Sequence, residues 1–145
     1  TDLLYRRSGL LGLSGISNDM RTLERSEAPE AEEAIAYFVF RIRRELGALA
    51  AALGGLDGLV FTGGIGENSS AIRARVCDGM DWLGIAVEPE ANATGGPLLS
   101  PANGRVRVLS LRTDEESVLA RDARRHLVAR ADAPTEGAEP VGRAR

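Results

Sequence analysis

Leu59-Val60-Phe61-Thr62-Gly63-Gly64-Ile65-Gly66-Glu67-Asn68 is the stretch around which the rest of the chain is organised. Leu59 to Phe61 is a short apolar run with glycine on both sides, the pattern of a buried strand. Gly63, Gly64 and Gly66 then let the backbone turn sharply and leave no Cβ between the main chain and a ligand. Asn68 or Ser69 can cap the helix that follows, whose apolar positions begin at Ile72 and Val76. Strand, glycine turn and helix start, in that order, present free N–H groups at the positive end of a helix dipole. Such a corner suits an anion or a nucleotide, although many glycine turns only join a strand to a helix.

Two phosphate loops are excluded. The P-loop requires Gly-Lys-Ser/Thr after its glycines, and the chain contains no lysine. The dinucleotide fingerprint requires a third glycine three residues after the second, where Ser69 stands. A glycine turn of a third kind remains.

At 145 residues, 43% hydrophobic and 27% charged, with mean hydropathy -0.12, the chain has the composition of one soluble domain with a modest core. A net charge of -3 and a pI near 5.3 argue against a general binder of nucleic acid or anionic membrane. No apolar run approaches the ~20 residues of a membrane span, and no secretory signal opens the sequence. The single cysteine, Cys77, allows no internal disulfide and no Cys-rich metal site, in keeping with a cytoplasmic protein. It reads as a small buried hydrophobe. All 18 basic residues are arginine, which removes lysine Schiff-base chemistry, pyridoxal phosphate enzymes included. One histidine, His126, leaves no His-rich metal site and no local His-based triad.

Residues 1 to 25 are rich in glycine and serine, as in Ser8 to Arg21, and read as a loop lining something, followed by a short helix near Asp19 to Arg25. Ser17, Asn18 or Asp19 can cap that helix; Asp19 and Arg21 are then either a cap and a solvated charge or ligand contacts. Glu30 to Leu53 is the strongest helix. Ile35, Phe38, Val39, Ile42, Leu46, Leu49, Ala50 and Leu53 fall on one stripe, and Gly54-Gly55 stops it. Tyr37, Phe38 and Phe40 read as packing residues rather than a base-stacking platform.

Past the glycine turn, a helix is predicted from about Ser69 to Asp78, then a turn into a short strand over Trp82 to Val87. Residues 88 to 104, with three prolines and three glycines, read as a surface loop. Arg105 to Leu111 is a further strand. A helix from Thr113 to about Arg130 follows, with Val118, Leu119 and Leu127 inward and His126 late on it as a C-terminal or surface charge. Residues 131–145 lack apolar periodicity and read as a disordered tail, which leaves residues 1–130 as the folded portion. The element order is α/β with crossover connections. Too few strands are present to cover the long helix, and the first residue is threonine. Both features read as one piece of a longer protein whose remaining strands lie upstream.

Thr113-Asp114-Glu115-Glu116 opens the last helix. Thr113 and Glu116 match a capping box. Asp114 and Glu115 remain at the mouth of a strand, where α/β proteins place ligands. Mg²⁺ is held by one or two carboxylates plus water and phosphate oxygens, so Glu115 suits a metal role; helix-dipole preference for acids in the first turn explains it equally.

Three stretches together, Ser14 to Arg21, Phe61 to Asn68 and Thr113 to Glu116, resemble the C-terminal part of the acetate kinases, in that family's order and spacing. The resemblance runs from about Ser8 to Arg125, and propionate kinases share it. It implies a partial RNase-H-like domain of the sugar kinase, Hsp70 and actin superfamily. It further implies that Asp19, Met20 and Arg21 contribute to an ATP site, that Gly64, Ile65, Gly66, Glu67 and Asn68 lie along the adenosine side of ATP, and that Glu115 is the Mg²⁺-associated glutamate. Gly63, where the family more often has alanine, and Asp114, often asparagine, depart from the pattern. The implied reaction is reversible phosphoryl transfer from ATP to acetate, giving acetyl phosphate and ADP, in a homodimer. Such transfer needs cationic donors around the moving group. The arginine and histidine that supply them in the family are upstream of this segment, as are the acetate pocket and the N-terminal phosphate loop. The segment is therefore expected to hold part of a nucleotide site and to perform no turnover alone. The alternatives are a propionate kinase, or a non-catalytic remnant that serves only for binding or dimerisation.

Overall fold

Pro29–Leu53, 25 residues long, is the helix on which the other elements are laid. We label it α3 in a computed structural model that describes residues 8–114, 116, 117, 119–121, 123 and 124. Pro29 occupies the first turn, where a missing N–H costs nothing, and Gly54 ends the helix in the left-handed region at φ 75°. Two short helices precede it, α1 (Gly9–Ser14) and α2 (Met20–Glu24), and both pack against α3. After it come β1 (Gly58–Phe61), α4 (Gly63–Asn68), α5 (Ser70–Cys77), a 3-10 turn over Asp81–Leu83, α6 (Pro89–Thr94) and β2 (Arg107–Ser110).

β1 and β2 pair in parallel, with Gly58 opposite Arg107 and Phe61 opposite Ser110, as a crossover connection requires. Helix α5 lies on α3. Met20 and Leu23 of α2, Ile35 and Val39 of α3, and Ile72 and Val76 of α5 close a first core. A second gathers Cys77, Met80, Ile85, Leu99, Val106 and Val108 beneath the sheet, and Phe61 touches both. Each fully buried aliphatic side chain, such as Leu23, Val76 or Ile85, contributes roughly 1.5–3 kcal/mol.

Several expectations are corrected. Residues 9 to 14 are helical rather than a loop, because Gly15 at φ 67° closes the turn and Leu10 packs on the first core. No strand forms over Trp82 to Val87; Ile85 is buried there without pairing into the sheet. The expected loop over 88 to 104 contains α6, with Pro89 in its first turn, and its Leu99 and Ser100 are buried. Leu49 and Leu53 lie on the predicted apolar stripe but are 62% and 74% exposed. Tyr37 and Phe40, expected to pack, are exposed and lie against each other, with the Arg41 guanidinium over the Tyr37 ring. Val60, at the centre of the predicted buried strand, is 48% exposed. Among the described residues the sheet has two strands, which leaves little sheet surface to cover apolar side chains.

The chain divides into two units between Arg112 and Thr113. In the second, residues 116, 117, 119–121, 123 and 124 are helical. There Asp114 Oδ1 accepts from the Ser117 amide at 3.0 Å, so Asp114, which the capping-box reading left over, does cap. Leu119, expected inward, is exposed. Glu115, Val118, His126, Leu127 and residues 131–145 lie outside the described residues.

Candidate functional site

Asp19 begins one wall of a cleft. Its backbone is extended, and its carboxylate caps α2 by accepting from the Arg21 amide at 3.0 Å. The same carboxylate takes Nε and Nη2 of Arg21 at 3.3 and 3.0 Å, a two-pronged pair at the surface. The Arg21 side-chain bond, and then its amide, hold the Asp19 carboxyl below its usual range, and the Arg21 guanidinium is raised in turn. Met20, between them, is buried in the first core and anchors the wall.

The opposite wall is the glycine stretch. It is not an open turn of bare amides: Gly63 to Asn68 close into the six-residue helix α4. Gly63 makes this possible at φ 72°, a conformation in which a side chain is strained. Its amide, expected to be free, donates to Glu67 Oε1 at 2.9 Å. Asn68 Nδ2 donates back to the Gly64 carbonyl at 2.8 Å. Ser69 then breaks the helix and caps α5 through the Ile72 amide, which settles the choice between Asn68 and Ser69. The Ser69 hydroxyl also bonds Glu24 Oε1 at 2.5 Å and so links the two walls.

Between them is a cleft of about 630 Å³, within the roughly 300–1,000 Å³ typical of small-molecule sites. Asp19, Met20, Arg21, Glu24 and Arg25 line one side; Gly64, Ile65, Asn68 and Ser69 line the other. The two sequence motifs therefore meet. Gly64 faces open space, with nothing within 4 Å of where a Cβ would stand. Gly66 does not: its Cβ would lie 3.3–3.5 Å from Phe61, so that glycine lets α4 sit close on β1. Glu67 spends one carboxylate oxygen on the Gly63 amide. The positions expected along a ligand thus divide into residues on the cleft (Gly64, Ile65, Asn68) and residues shaping its wall (Gly66, Glu67).

Sequence reasoning missed Arg73. It is 2% exposed, and its guanidinium donates to the Gly66 and Glu67 carbonyls at 2.9 Å each and to Asn92 Oδ1 and the Asn92 carbonyl at 2.7 Å each. Burial lowers its pKa, and the nearby Cys77 opposes that shift. The signal was available: Arg73 stands three and four residues before the buried Val76 and Cys77, on the inward stripe of α5. Cys77 is the small buried residue expected from the sequence, and burial pushes its thiol up to about 11. Among the described residues no group of three or more His, Cys, Asp or Glu side chains is placed to hold a metal ion, and no helix is long and apolar enough to cross a membrane.

Residues 1–121 match the acetokinase family model. The acetate kinase of Methylocella silvestris is 56% identical over 121 residues, 83% of this chain and 30% of that protein. The crystal structure of Porphyromonas gingivalis acetate kinase superposes with a TM-score of 0.79 at 37% identity, over 87% of this chain and 33% of that one. A propionate kinase from Francisella tularensis superposes with a TM-score of 0.76 at 31% identity, over 83% of this chain and 32% of its own. The chain thus spans about a third of the length of the relatives it matches, and by the family model and these identities it belongs to the acetokinase family.

Proposed function

We propose that this chain is the C-terminal nucleotide-binding portion of an acetate kinase, an enzyme that moves the ATP γ-phosphoryl group reversibly onto acetate. The observation that carries the reading is the meeting of Asp19-Met20-Arg21 with Gly64-Ile65 and Asn68 on facing walls of one cleft. The mixture there suits a nucleoside: Ile65 offers apolar surface, Gly64 an unobstructed backbone, and Asn68 and the Asp19–Arg21 pair polar edges. In this reading α2 and α4 grip the adenosine from two sides, while Gly66 and Glu67 act by shaping α4.

The superfamily reading follows from the same assignment: an RNase-H-like domain whose remaining strands belong to the preceding part of the protein. The bare apolar side chains Leu49, Leu53 and Val60 support it, since a fuller sheet or a second subunit would cover them. Mg²⁺ accompanies ATP in this proposal and neutralises charge on its phosphates. Asp19 and Glu24, the carboxylates on the cleft, are engaged by Arg21 and Ser69, so they do not form a cation site by themselves. Glu115 is the residue proposed to serve the metal. Acetate is proposed as the acceptor because the relatives matched at 56% and 37% identity are acetate kinases; propionate stays the alternative, since the acid pocket is placed upstream of this chain.

The experiment is a paired assay. Full-length protein is expected to form ADP in an acetate-dependent reaction, and residues 1–145 alone to form none. Turnover by the isolated chain would place the chemistry in the wrong residues. A full-length protein that binds ATP without turnover would instead favour the non-catalytic binding or dimerising module.

A further inference from the structure

Helix α4 has little of its own to hold it in place. It is six residues long and buries none of them fully; Ile65 is half-buried against the first core, and Gly66 lies close on Phe61. Two of its polar bonds, Glu67 to the Gly63 amide and Asn68 to the Gly64 carbonyl, lie within the segment and fix its shape, not its position. Its position is set from outside by Arg73. Nη1 of Arg73 donates to the Gly66 and Glu67 carbonyls, at the end of α4 where carbonyls lack helical partners. Nε and Nη2 hold Asn92 of α6, whose own Nδ2 donates to the Ser70 carbonyl at 2.8 Å. The guanidinium is thus a rigid fork between α4 and the α5–α6 pair.

All four acceptors are neutral, so the buried charge is balanced by dipoles and by no carboxylate. Burying a cation this way is expensive, and an apolar residue at position 73 would suit packing alone. We propose that Arg73 is a positioning residue for nucleotide binding, holding the Gly64–Asn68 wall at a fixed height over the cleft. This rests on the nucleotide reading of the cleft and goes beyond it: Arg73 touches no nucleotide and acts through α4. A pre-set wall spares the bound state the cost of ordering it, so losing Arg73 weakens ATP while leaving acetate alone.

The test is steady-state kinetics of the full-length protein with Arg73→Met, Arg73→Lys and Asn92→Ala, each checked for folding by circular dichroism. Arg73→Met is expected to raise the ATP KM by about tenfold or more with the acetate KM within about twofold. Arg73→Lys keeps the charge but cannot fork, and falls between Met and wild type. Asn92→Ala keeps the bonds to α4 and to the residue-92 carbonyl but removes the Oδ1 acceptor and the Nδ2 bond to Ser70, so the rise is smaller. If Arg73→Met does not fold, the Lys and Ala variants carry the test. An unchanged ATP KM in folded Arg73→Lys and Asn92→Ala overturns the proposal, as does a parallel rise in both substrates' KM. Gly64→Leu, which places a side chain directly in the cleft, separates the two levels. If it raises the ATP KM and the Arg73 series does not, the positioning role fails and the nucleotide reading stands; if neither does, both fail.

Discussion

The two walls of the cleft are held by opposite means. The α2 wall carries its polar pair at the surface: Asp19 and Arg21 bond each other with 41% and 76% of their side chains exposed. The α4 wall carries its fixing group in the interior, as Arg73 at 2% exposure. An exposed pair contributes little to stability, is screened by salt, and can exchange partners when a ligand arrives. A buried fork cannot exchange partners without leaving dipoles unsatisfied. The contrast indicates a division of labour in which one wall adjusts its side chains while the other presents fixed backbone.

That contrast can be broken most severely at Arg73. Arg73→Met leaves the Gly66 and Glu67 carbonyls and Asn92 without their donor, and each acceptor that stays buried and unpaired is expected to cost about 1–3 kcal/mol by chemical denaturation. Gly66→Val comes next: its new atoms meet Phe61 within 3.3–3.5 Å, so overpacking costs about 1–3 kcal/mol. Because that change strikes β1 rather than the cleft, its effect on ATP is expected to follow the loss of stability. Gly64→Ala sharpens the comparison in the other direction. A methyl in open space inside a helix is expected to add about 0.5–1 kcal/mol to stability while raising the ATP KM. A loss of stability with an unchanged ATP KM would show that Gly64 serves the fold and not the ligand.

The smallest effect belongs to the exposed wall. Asp19→Asn keeps a capping side chain but removes the charge, so the melting temperature is expected to fall slightly at neutral pH and to become less sensitive to salt. The sign of its pH dependence is fixed by the Arg21 bond. A carboxyl depressed in the fold adds stability above its ordinary value of 3.8, and that contribution disappears as pH falls through the lower folded value. Wild type and Asp19→Asn should therefore converge in acid; a difference that grows there would contradict the pairing.

Local signals in the sequence identified the elements whose ends are marked by their own residues. Helix α3 begins at Pro29, one residue before the predicted start, and ends where Gly54 takes φ 75°. The β1 and β2 strands are legible for the same reason, whereas the closing of Gly63–Asn68 into a helix is not. Helix α6 was hidden because Pro89 reads as a breaker, whereas in a first turn it starts a helix. Exposure at Leu49, Leu53 and Val60 was illegible, since periodicity reports the face that seeks cover and not whether cover is present. In the site, the meeting of the two motifs follows from the family resemblance. The interior function of Gly66 and Glu67 does not, because only the folded backbone brings Phe61 and the Gly63 amide against them. Arg73 needed a rule applied in reverse: a charge on an apolar stripe marks a buried network.

The most direct test of the whole account is a crystal structure of the full-length protein with a non-hydrolysable ATP analogue. We expect the adenosine between the Asp19–Arg21 wall and the Gly64–Asn68 wall, with the Arg73 fork intact behind it. An analogue seated elsewhere, with this cleft holding only solvent, would contradict it.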